Sequence, residues 1–476
     1  MTNIQPNLIF ILCDQLRFDC LGYAGHPLVK TPNIDRLASS GVTFETAYCA
    51  SPVCSPARAS WLTGTYPHAH QQLANYGPER LAPEAMAVMR PDAVTLGDVF
   101  KQAGYRCGIA GPWHLGHDHQ PQHGFEDFWR VYRYQGDHPD ILFDYFEQES
   151  VPNIYEGKHP TIRNHGMGYT PTEDPRQQRT TWTIDQGIEF LDTKDDRPFF
   201  LYLSVKDPHP LIAVSQDLID QYPIEDIELP ETWKDDLAGR PEYLRNDVGR
   251  LPLDIDEAGF RMMMAHYFAL ITHIDDQVGR VLDHLDSLNL AEDTVVAFIS
   301  DHGEQLGEHH AIQKRMFWEA SVRVPCVMAW PGGLPSGHTV TTALGGVDLA
   351  PTLLELCGLS FDNAIDGRSV ASAIQSRTQP YPVPIFSEIG TSDGINFRSS
   401  EPEDLASRVM VRVDNWKYVY NRTDDDELYN LEADPLELAN IALDASQAVR
   451  AAEMKARIQK MVTRSGPGHY AWCLED

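Results

Sequence analysis

Two short apolar runs, each ending in an aspartate, constrain the fold more than any other feature of this sequence. Residues 7–13 (NLIFILC) form the first run, which ends at Asp14, and residues 294–300 (TVVAFIS) form the second, which ends at Asp301. An uninterrupted apolar run of this length predicts a strand that is buried on both faces of a sheet. Ligands bind at the carboxyl ends of such strands in open α/β sheets, so both aspartates are candidate site residues. For a lone Asp14, a turn or helix cap is the common alternative.

The stretch from Cys54 to Gly64 (CSPARASWLTG) predicts a loop that turns into a short helix. Pro56 suits the first helical turn and Gly64 suits the position just past the helix end. Cys54 would then lie at a helix N-terminus, where the free N–H groups favour a developing anion. Arg58 follows one turn later on the same face. The alternative is a buried cysteine beside a surface arginine.

Cys-x-Pro-x-Arg followed by Thr63-Gly64 resembles the signature of the type I sulfatases, which belong to the alkaline-phosphatase-like superfamily. Further motifs typical of that family follow in the same order along nearly the whole chain. The resemblance implies that a formylglycine-generating enzyme oxidises Cys54 to formylglycine, whose hydrated aldehyde is the nucleophile in this family. A sulfated gem-diol keeps a second hydroxyl, and its deprotonation expels sulfate and regenerates the aldehyde.

The resemblance also implies a role for each candidate site residue. It assigns one divalent cation to Asp14, Asp301, His302 and residue 54. His209 would protonate the departing alcohol and His114 would take the gem-diol proton. Arg58 and Lys314 would hold the sulfate, Arg58 through its planar fork. Calcium is the usual ion of the family, while an oxygen-rich site with one histidine leaves Mn²⁺ and Mg²⁺ open.

The sequence departs from the usual family pattern at two positions. Gln15 stands where many relatives carry a second aspartate, and Asp-Gln with the later Asp-His pair looks like the choline-sulfatase and phosphonate-monoester-hydrolase branches. Pro112 replaces the lysine of the usual Gly-Lys-Trp-His motif and removes one positive charge. We expect Gln15, Asn75 and Trp113 to contact the substrate, with its alcohol part on Trp113 or Tyr134. A loop-capping role explains Asn75 equally well.

The balance of charge excludes several classes of partner. The chain has 38 Lys and Arg against 69 Asp and Glu, so its formal net charge is −31. Such a field repels nucleic acid, anionic membranes and polyanionic polymers. No stretch approaches the roughly 20 apolar residues that span a bilayer, and no basic segment precedes the first apolar run as in a signal peptide. The eight cysteines form no CxxC pair, which predicts reduced thiols and a cytoplasmic location.

The length of 476 residues is enough for one large domain and one smaller one. We predict an α/β protein: a large mixed, mostly parallel sheet flanked by helices, with a smaller C-terminal antiparallel sheet-plus-helix subdomain. The catalytic domain would span residues 1–375 and the subdomain residues 376–476. Within the subdomain we expect strands at 385–388, 408–413 and 416–420, a connecting loop that includes 427–431, and a helix at 442–462.

These features predict metal-dependent hydrolysis of a sulfate ester. A phosphonate monoester or phosphodiester hydrolase on the same framework is the alternative, and an inactive binding module would require the loss of a site residue. The net charge and the missing lysine at Pro112 both weaken attraction for polysulfated polymers. Because distant charges are screened beyond about 8 Å at physiological salt, the local loss matters more. We therefore expect a small, singly sulfated substrate, and the sequence leaves open whether the chain forms a homo-oligomer.

Overall fold

The computed structural model describes residues 5–76, 84–117, 120–129, 145, 148–150, 169–172, 175–210, 212–246, 256–390 and 407–475. The strands are β1 Asn7–Asp14, β2 Val42–Phe44, β3 Ala47–Tyr48, β4 Arg106–Ala110, β5 Asp127–Trp129, β6 Tyr169–Thr172, β7 Phe199–Pro208, β8 Ile212–Ser215, β9 Thr294–Ser300, β10 Arg323–Val324, β11 Cys326–Ala329, β12 His338–Val340, β13 Leu344–Gly345, β14 Ile385–Ile389, β15 Arg408–Val413, β16 Trp416–Asn421 and β17 Glu427–Asn430. The helices are α1 Pro32–Ser40, α2 Cys54–Thr63, α3 Pro67–His70, α4 Glu84–Ala87, α5 Leu96–Gln102, α6 Arg179–Asp192, α7 Gln216–Ile219, α8 Glu242–Asn246, α9 Glu257–Ser287, α10 Glu319–Val322, α11 Leu349–Leu356, α12 Ala371–Gln375 and α13 Ala448–Ser465.

The large sheet has eight strands in the order β12-β2-β11-β9-β1-β7-β4-β5. Strand β1 lies at its centre and pairs in parallel with β7 and β9, and β4 continues the parallel arrangement beside β7. Only β11 runs antiparallel to its neighbours β9 and β2. The predicted large, mostly parallel sheet is therefore confirmed, and the carboxyl ends of β1, β7 and β9 meet at one edge.

Helices cover both faces of this sheet, as the continuous apolar runs predict. Alternate residues of β1 enter two different cores, with Leu8 and Phe10 in one and Ile9 and Ile11 in the other. The first core is completed by residues of α2, α5 and α11, and the second by residues of α1, α6 and α9. Because side chains alternate along a strand, a strand buried on both faces shows no polar alternation in its sequence.

The C-terminal part forms a separate antiparallel sheet of the order β14-β15-β16-β17, as predicted. The prediction of a loop at 427–431 is wrong, because Glu427–Asn430 is the fourth strand of this sheet. Its first residue misleads, since Glu427 is a buried carboxylate that accepts hydrogen bonds from Tyr243 and Tyr429. The last helix begins at Ala448 rather than 442. The domain boundary near 375 stays a prediction.

All eight cysteines are buried and none forms a disulfide. None of the helices in the described ranges is both long and apolar enough to cross a membrane. Tyr134, the second aromatic residue proposed to support the substrate, lies outside the described residues.

Candidate active site

Four buried side chains meet at the carboxyl edge of the large sheet. Asp14 ends β1, Asp301 and His302 follow β9, and Cys54 opens α2. One donor atom from each of these residues lies within 4.8 Å of the other three. Parallel pairing of β1 with β9 places Cys13 opposite Ser300, so the two aspartates that follow come level with each other. The structure thus brings together the four residues that the sequence proposed as metal ligands.

The start and the end of helix α2 are both defined by local contacts, and Cys54 is the first residue of the helix. The helix starts at Cys54 and ends before Gly64, which has a left-handed φ of 67° and donates its N–H to Ser60 at 3.0 Å. The Ser55 N–H donates to Asn75 Oδ1 at 2.9 Å, so Asn75 satisfies one of the free N–H groups of the first turn. Cys54 Sγ lies 3.1 Å from His302 Nε2 and 3.6 Å from Asp14 Oδ1.

The surroundings of Cys54 keep its side chain protonated. Burial, and then the charge of Asp14, raise the pKa of the Cys54 thiol to about 11, against the opposing effect of Lys314. The thiolate is the nucleophilic form of cysteine, and it is scarce at neutral pH when the pKa lies this high.

Arg58 makes more contacts within the protein than the sequence suggested. The side chain is fully buried; Nε donates to Asp301 Oδ2 at 3.0 Å, and a terminal nitrogen donates to Asp14 Oδ2 at 3.1 Å. The other terminal nitrogen donates to Ser204 Oγ at 2.7 Å and to the Pro112 carbonyl at 3.3 Å. The guanidinium therefore fixes the outer oxygens of both aspartates and leaves Asp14 Oδ1 facing Cys54.

Lys206 is a site residue that the sequence analysis did not single out. It lies in β7, its side chain is 3% exposed, and its Nζ is 2.8 Å from Asp14 Oδ2. Burial alone would raise the pKa of Asp14, but the charges of Lys206 above all, and of Arg58, hold it well below its usual range. A lysine before Asp-Pro-His looks like an ordinary turn residue, so only the pairing of β7 with β1 reveals it.

The two candidate proton-transfer histidines are held neutral. Burial, and then Lys206 and Arg58, hold the pKa of His114 well below its usual range, and its φ of 64° is left-handed. Burial, and then Lys206 and Lys314, do the same to the pKa of His209. His209 Nδ1 lies 2.5 Å from the Pro210 carbonyl, so this nitrogen carries the proton and Nε2 is left to exchange one.

Lys314 reaches the site through Gln15. Its Nζ donates to Gln15 Oε1 at 2.5 Å, and Gln15 Nε2 donates in turn to the carboxylate of Glu304. Both ends of the Gln15 amide are thus bonded inside the protein, and its predicted contact with the substrate stays a prediction. Glu304 is fully buried and follows Asp301 by three residues, but nothing in the sequence connects it to Gln15.

Trp113 does not face the cluster as an open platform for a substrate. It is 1% exposed and packs edge-on against Phe125 and nearly parallel to His123. The indole therefore belongs to the core beneath the loop that follows β4. The predicted contact of the alcohol part of a substrate with Trp113 stays a prediction.

The four clustered residues suit a hard divalent cation. His302 Nε2 lies 3.5 Å from Asp301 Oδ1 and 3.8 Å from Asp14 Oδ1, so two carboxylate oxygens and one imidazole nitrogen surround one point. This donor set matches Ca²⁺, Mg²⁺ or Mn²⁺, whereas the sulfur of Cys54 is soft. An oxygen in place of that sulfur, as in formylglycine, would remove the soft donor from the set.

Comparison with known proteins agrees with this geometry. Residues 6–359 match the family described as Sulfatase, and residues 307–464 match the one described as N-sulphoglucosamine sulphohydrolase, C-terminal. An arylsulfatase of Clostridium perfringens is 27% identical over 460 residues, which cover 92% of this chain and 90% of the relative. A choline-sulfatase of Rhizobium meliloti is 28% identical over 469 residues, which cover 93% of this chain and 83% of the relative.

A solved structure shows the same fold. The phosphonate monoester hydrolase of Agrobacterium radiobacter superimposes with a TM-score of 0.78 at 24% identity, over 97% of this chain and 96% of that one. The fold is therefore the alkaline-phosphatase-like one that the motifs predicted. Since the family match spans far more than half of the chain, the protein belongs to the sulfatase family of sulfuric ester hydrolases.

Proposed function

We propose that this protein hydrolyses the sulfate ester of a small, singly sulfated substrate, using one divalent cation and a formylglycine made from Cys54. The observation that carries the proposal is the buried cluster of Asp14, Cys54, Asp301 and His302, whose donor atoms lie within 4.8 Å of one another. Three further cationic side chains, those of Arg58, Lys206 and Lys314, act on this cluster. Positive charge around a nucleophile position is what stabilisation of a transferring anionic group requires.

Two groups that the chain must acquire complete this site. A divalent cation, Ca²⁺ foremost with Mn²⁺ or Mg²⁺ as alternatives, would neutralise charge on the nonbridging oxygens of the ester when bound by Asp14, Asp301, His302 and residue 54. Formylglycine at position 54 would supply a hydroxyl nucleophile there in place of a thiol. A formylglycine-generating enzyme is the maturation partner that this proposal requires.

The remaining roles belong to side chains already in place. Arg58 holds Asp14 and Asp301 through their outer oxygens, and its predicted contact with the sulfate stays a prediction. Lys314 presents its ammonium to the anionic group of the substrate. His114, neutral at this position, accepts a proton. Burial, and then Lys206 and Lys314, hold the pKa of His209 low. A bound anion would offset the two lysine charges, so that His209 Nε2 can take up a proton and deliver it to the departing alcohol.

The proposed substrate size rests on charge. The formal net charge of −31 opposes long polyanions, and Pro112 carries no positive charge at the position where the family usually has a lysine. Choline sulfate, a monosulfated sugar and an aryl sulfate all satisfy these conditions. We also propose a cytoplasmic location with reduced thiols, which thiol titration under denaturing, non-reducing conditions tests; two or more disulfides would count against it.

A phosphonate monoester or phosphodiester hydrolase is the second candidate. The Asp-Gln and Asp-His pairs and the fold shared with the phosphonate monoester hydrolase of Agrobacterium radiobacter support it. Sulfate monoesters and phosphonate monoesters each carry one negative charge at neutral pH, so the charge of the site does not separate them. The two candidate functions are therefore distinguished by which of the two esters the protein hydrolyses faster.

The deciding experiment compares kcat/KM for an aryl sulfate with kcat/KM for the phosphonate ester of the same phenol. Using one leaving group removes differences in leaving-group acidity. The proposal predicts the higher value for the sulfate ester, and a higher value for the phosphonate ester would replace it with the second candidate. Metal analysis that finds no bound divalent cation would instead favour the inactive binding module.

A further inference from the structure

A buried chain of hydrogen bonds connects Lys314 to Glu304. Lys314 Nζ donates to Gln15 Oε1 at 2.5 Å, and Gln15 Nε2 donates to Glu304 Oε2. The other carboxylate oxygen of Glu304 accepts the backbone N–H of Gln313 at 2.5 Å and that of Leu306 at 3.0 Å. Glu304 is therefore linked to the Lys314 ammonium by way of Gln15, and it also binds the backbone N–H of Gln313, the residue before Lys314.

The chemistry of its two neighbours determines how the Gln15 amide is turned. An ammonium can only donate hydrogen bonds and a carboxylate can only accept them. The amide must therefore give its oxygen to Lys314 and its nitrogen to Glu304. If Glu304 lost its acceptor on this side, the amide would be free to turn, and its NH₂ group would oppose the Lys314 ammonium.

The backbone of the loop that carries Lys314 has a conformation that requires stabilising contacts. Leu306, His309, His310, Gln313 and Arg315 all have positive φ values, although none is glycine. Non-glycine residues hold this backbone conformation only where the surroundings impose it. Glu304 accepts N–H groups from both sides of that loop, so one carboxylate maintains the loop conformation and the direction of the lysine together.

We propose that Glu304 is a positioning residue for Lys314, acting through Gln15, and that it thereby sets the affinity of the site for the anionic group of the substrate. This inference rests on the proposed function, in which Lys314 holds that group. It assigns Gln15 to the protein's own scaffold rather than to direct contact with the substrate.

In the test variant, the loss of charge and the displacement of Lys314 predict opposite changes in the affinity for sulfate. Glu304→Gln removes a negative charge, which by charge alone would strengthen anion binding. Misplacing Lys314 would instead weaken binding of inorganic sulfate by about ten- to hundredfold, the loss expected for one charge-assisted hydrogen bond. Glu308→Gln is the matched control, because it removes the same charge from the same loop while its carboxylate contacts Arg17 and Thr232.

A swapped pair provides the rescue. In Gln15→Glu combined with Glu304→Gln, the new amide at 304 can donate to the new carboxylate at 15, which still accepts from Lys314. The pair therefore restores every donor and acceptor of the chain at unchanged total charge. We expect its sulfate affinity to return to near the wild-type value, with the metal content and melting temperature measured in parallel to exclude a changed metal site or fold.

Calorimetric titration with inorganic sulfate reads these variants without requiring turnover. Weaker binding in Glu304→Gln than in Glu308→Gln, with recovery in the swapped pair, would establish the inference. Equal binding in the two single variants, or no recovery in the pair, would overturn it. Lys314→Met distinguishes failure of the proposed function from failure of the inference about Glu304. If Lys314→Met leaves sulfate binding unchanged, the proposed role of Lys314 is wrong, and the inference is wrong with it. If Lys314→Met weakens sulfate binding while Glu304→Gln does not, only the inference is refuted.

Discussion

Replacing Lys206 with methionine should destabilise the protein strongly, because it leaves a buried carboxylate short of one cation. Lys206 Nζ and Asp14 Oδ2 are 2.8 Å apart, and the two side chains are 3% and 0% exposed. Removing one partner of a buried pair typically costs about 3–5 kcal/mol of unfolding free energy. Arg58 still contacts Asp14, so we expect the lower end of that range.

Lys234→Met is the matched control for this prediction. Lys234 also pairs with a carboxylate, that of Glu257 at 3.6 Å, but its side chain is 83% exposed. Exposed pairs contribute only about 0–1 kcal/mol, so the same substitution should be nearly neutral there. Lys206→Arg, which keeps the charge, should recover part of the loss.

Denaturant unfolding followed by tryptophan fluorescence measures all three variants, with excess chelator present so that no cation replaces the lost charge. A shift of the midpoint without a change of slope reports stability. If Lys206→Met costs no more than Lys234→Met, the claim that Lys206 supports the buried cluster is wrong.

Three further predictions follow from individual contacts. Burial lowers the pKa of His68, but the Glu388 carboxylate 2.6 Å away outweighs burial and raises the pKa. The stability that this pair contributes is complete below a pH of about 6.5 and is lost as the pH rises through the raised pKa. In urea unfolding, the extra stability of wild type over His68→Asn should therefore shrink between pH 6 and 9. His209→Asn should lower kcat by about 10²–10⁴ on alkyl sulfates and far less on nitrophenyl sulfate, and equal losses would refute its role as the acid. His302→Ala should weaken Ca²⁺ binding by more than about tenfold, measured by calorimetry on chelator-treated protein; unchanged affinity would remove His302 from the ligand set.

The framework of the site could be predicted from short-range patterns. Asp14 and Asp301 each end an apolar run, and two such runs that become parallel neighbours must bring their ends together. Helix α2 is likewise predicted by Pro56 in its first turn and by Gly64 just past its end. These features depend on a few adjacent residues, so the sequence alone was sufficient for them.

The supporting contacts could not be predicted, because they join residues far apart in sequence. Gln15 and Glu304 are 289 positions apart, and Lys206 and Asp14 are 192 apart. Each of these polar side chains has an ordinary surface role as its simplest interpretation. Only the register of the sheet shows that they are buried and paired.

Burial also bears on two interpretations of the sequence. An aromatic residue next to a site histidine suggested a surface for the substrate, yet Trp113 is buried in the core. The sequence predicts a loop at 427–431, yet Glu427 is a buried strand residue that accepts hydrogen bonds from two tyrosines. In both cases the long-range packing partners, and not the local pattern, decide the structure.

The most direct test of the proposed function is the mass of the peptide that contains residue 54, measured on protein that turns over a sulfate ester. Cys54 is buried among the proposed metal ligands, and the proposed mechanism places a formylglycine hydroxyl there in place of the thiol. We predict the mass in which the sulfur and two hydrogens of Cys54 are replaced by one oxygen, as in formylglycine. A fully active preparation in which residue 54 is an unmodified cysteine would contradict it.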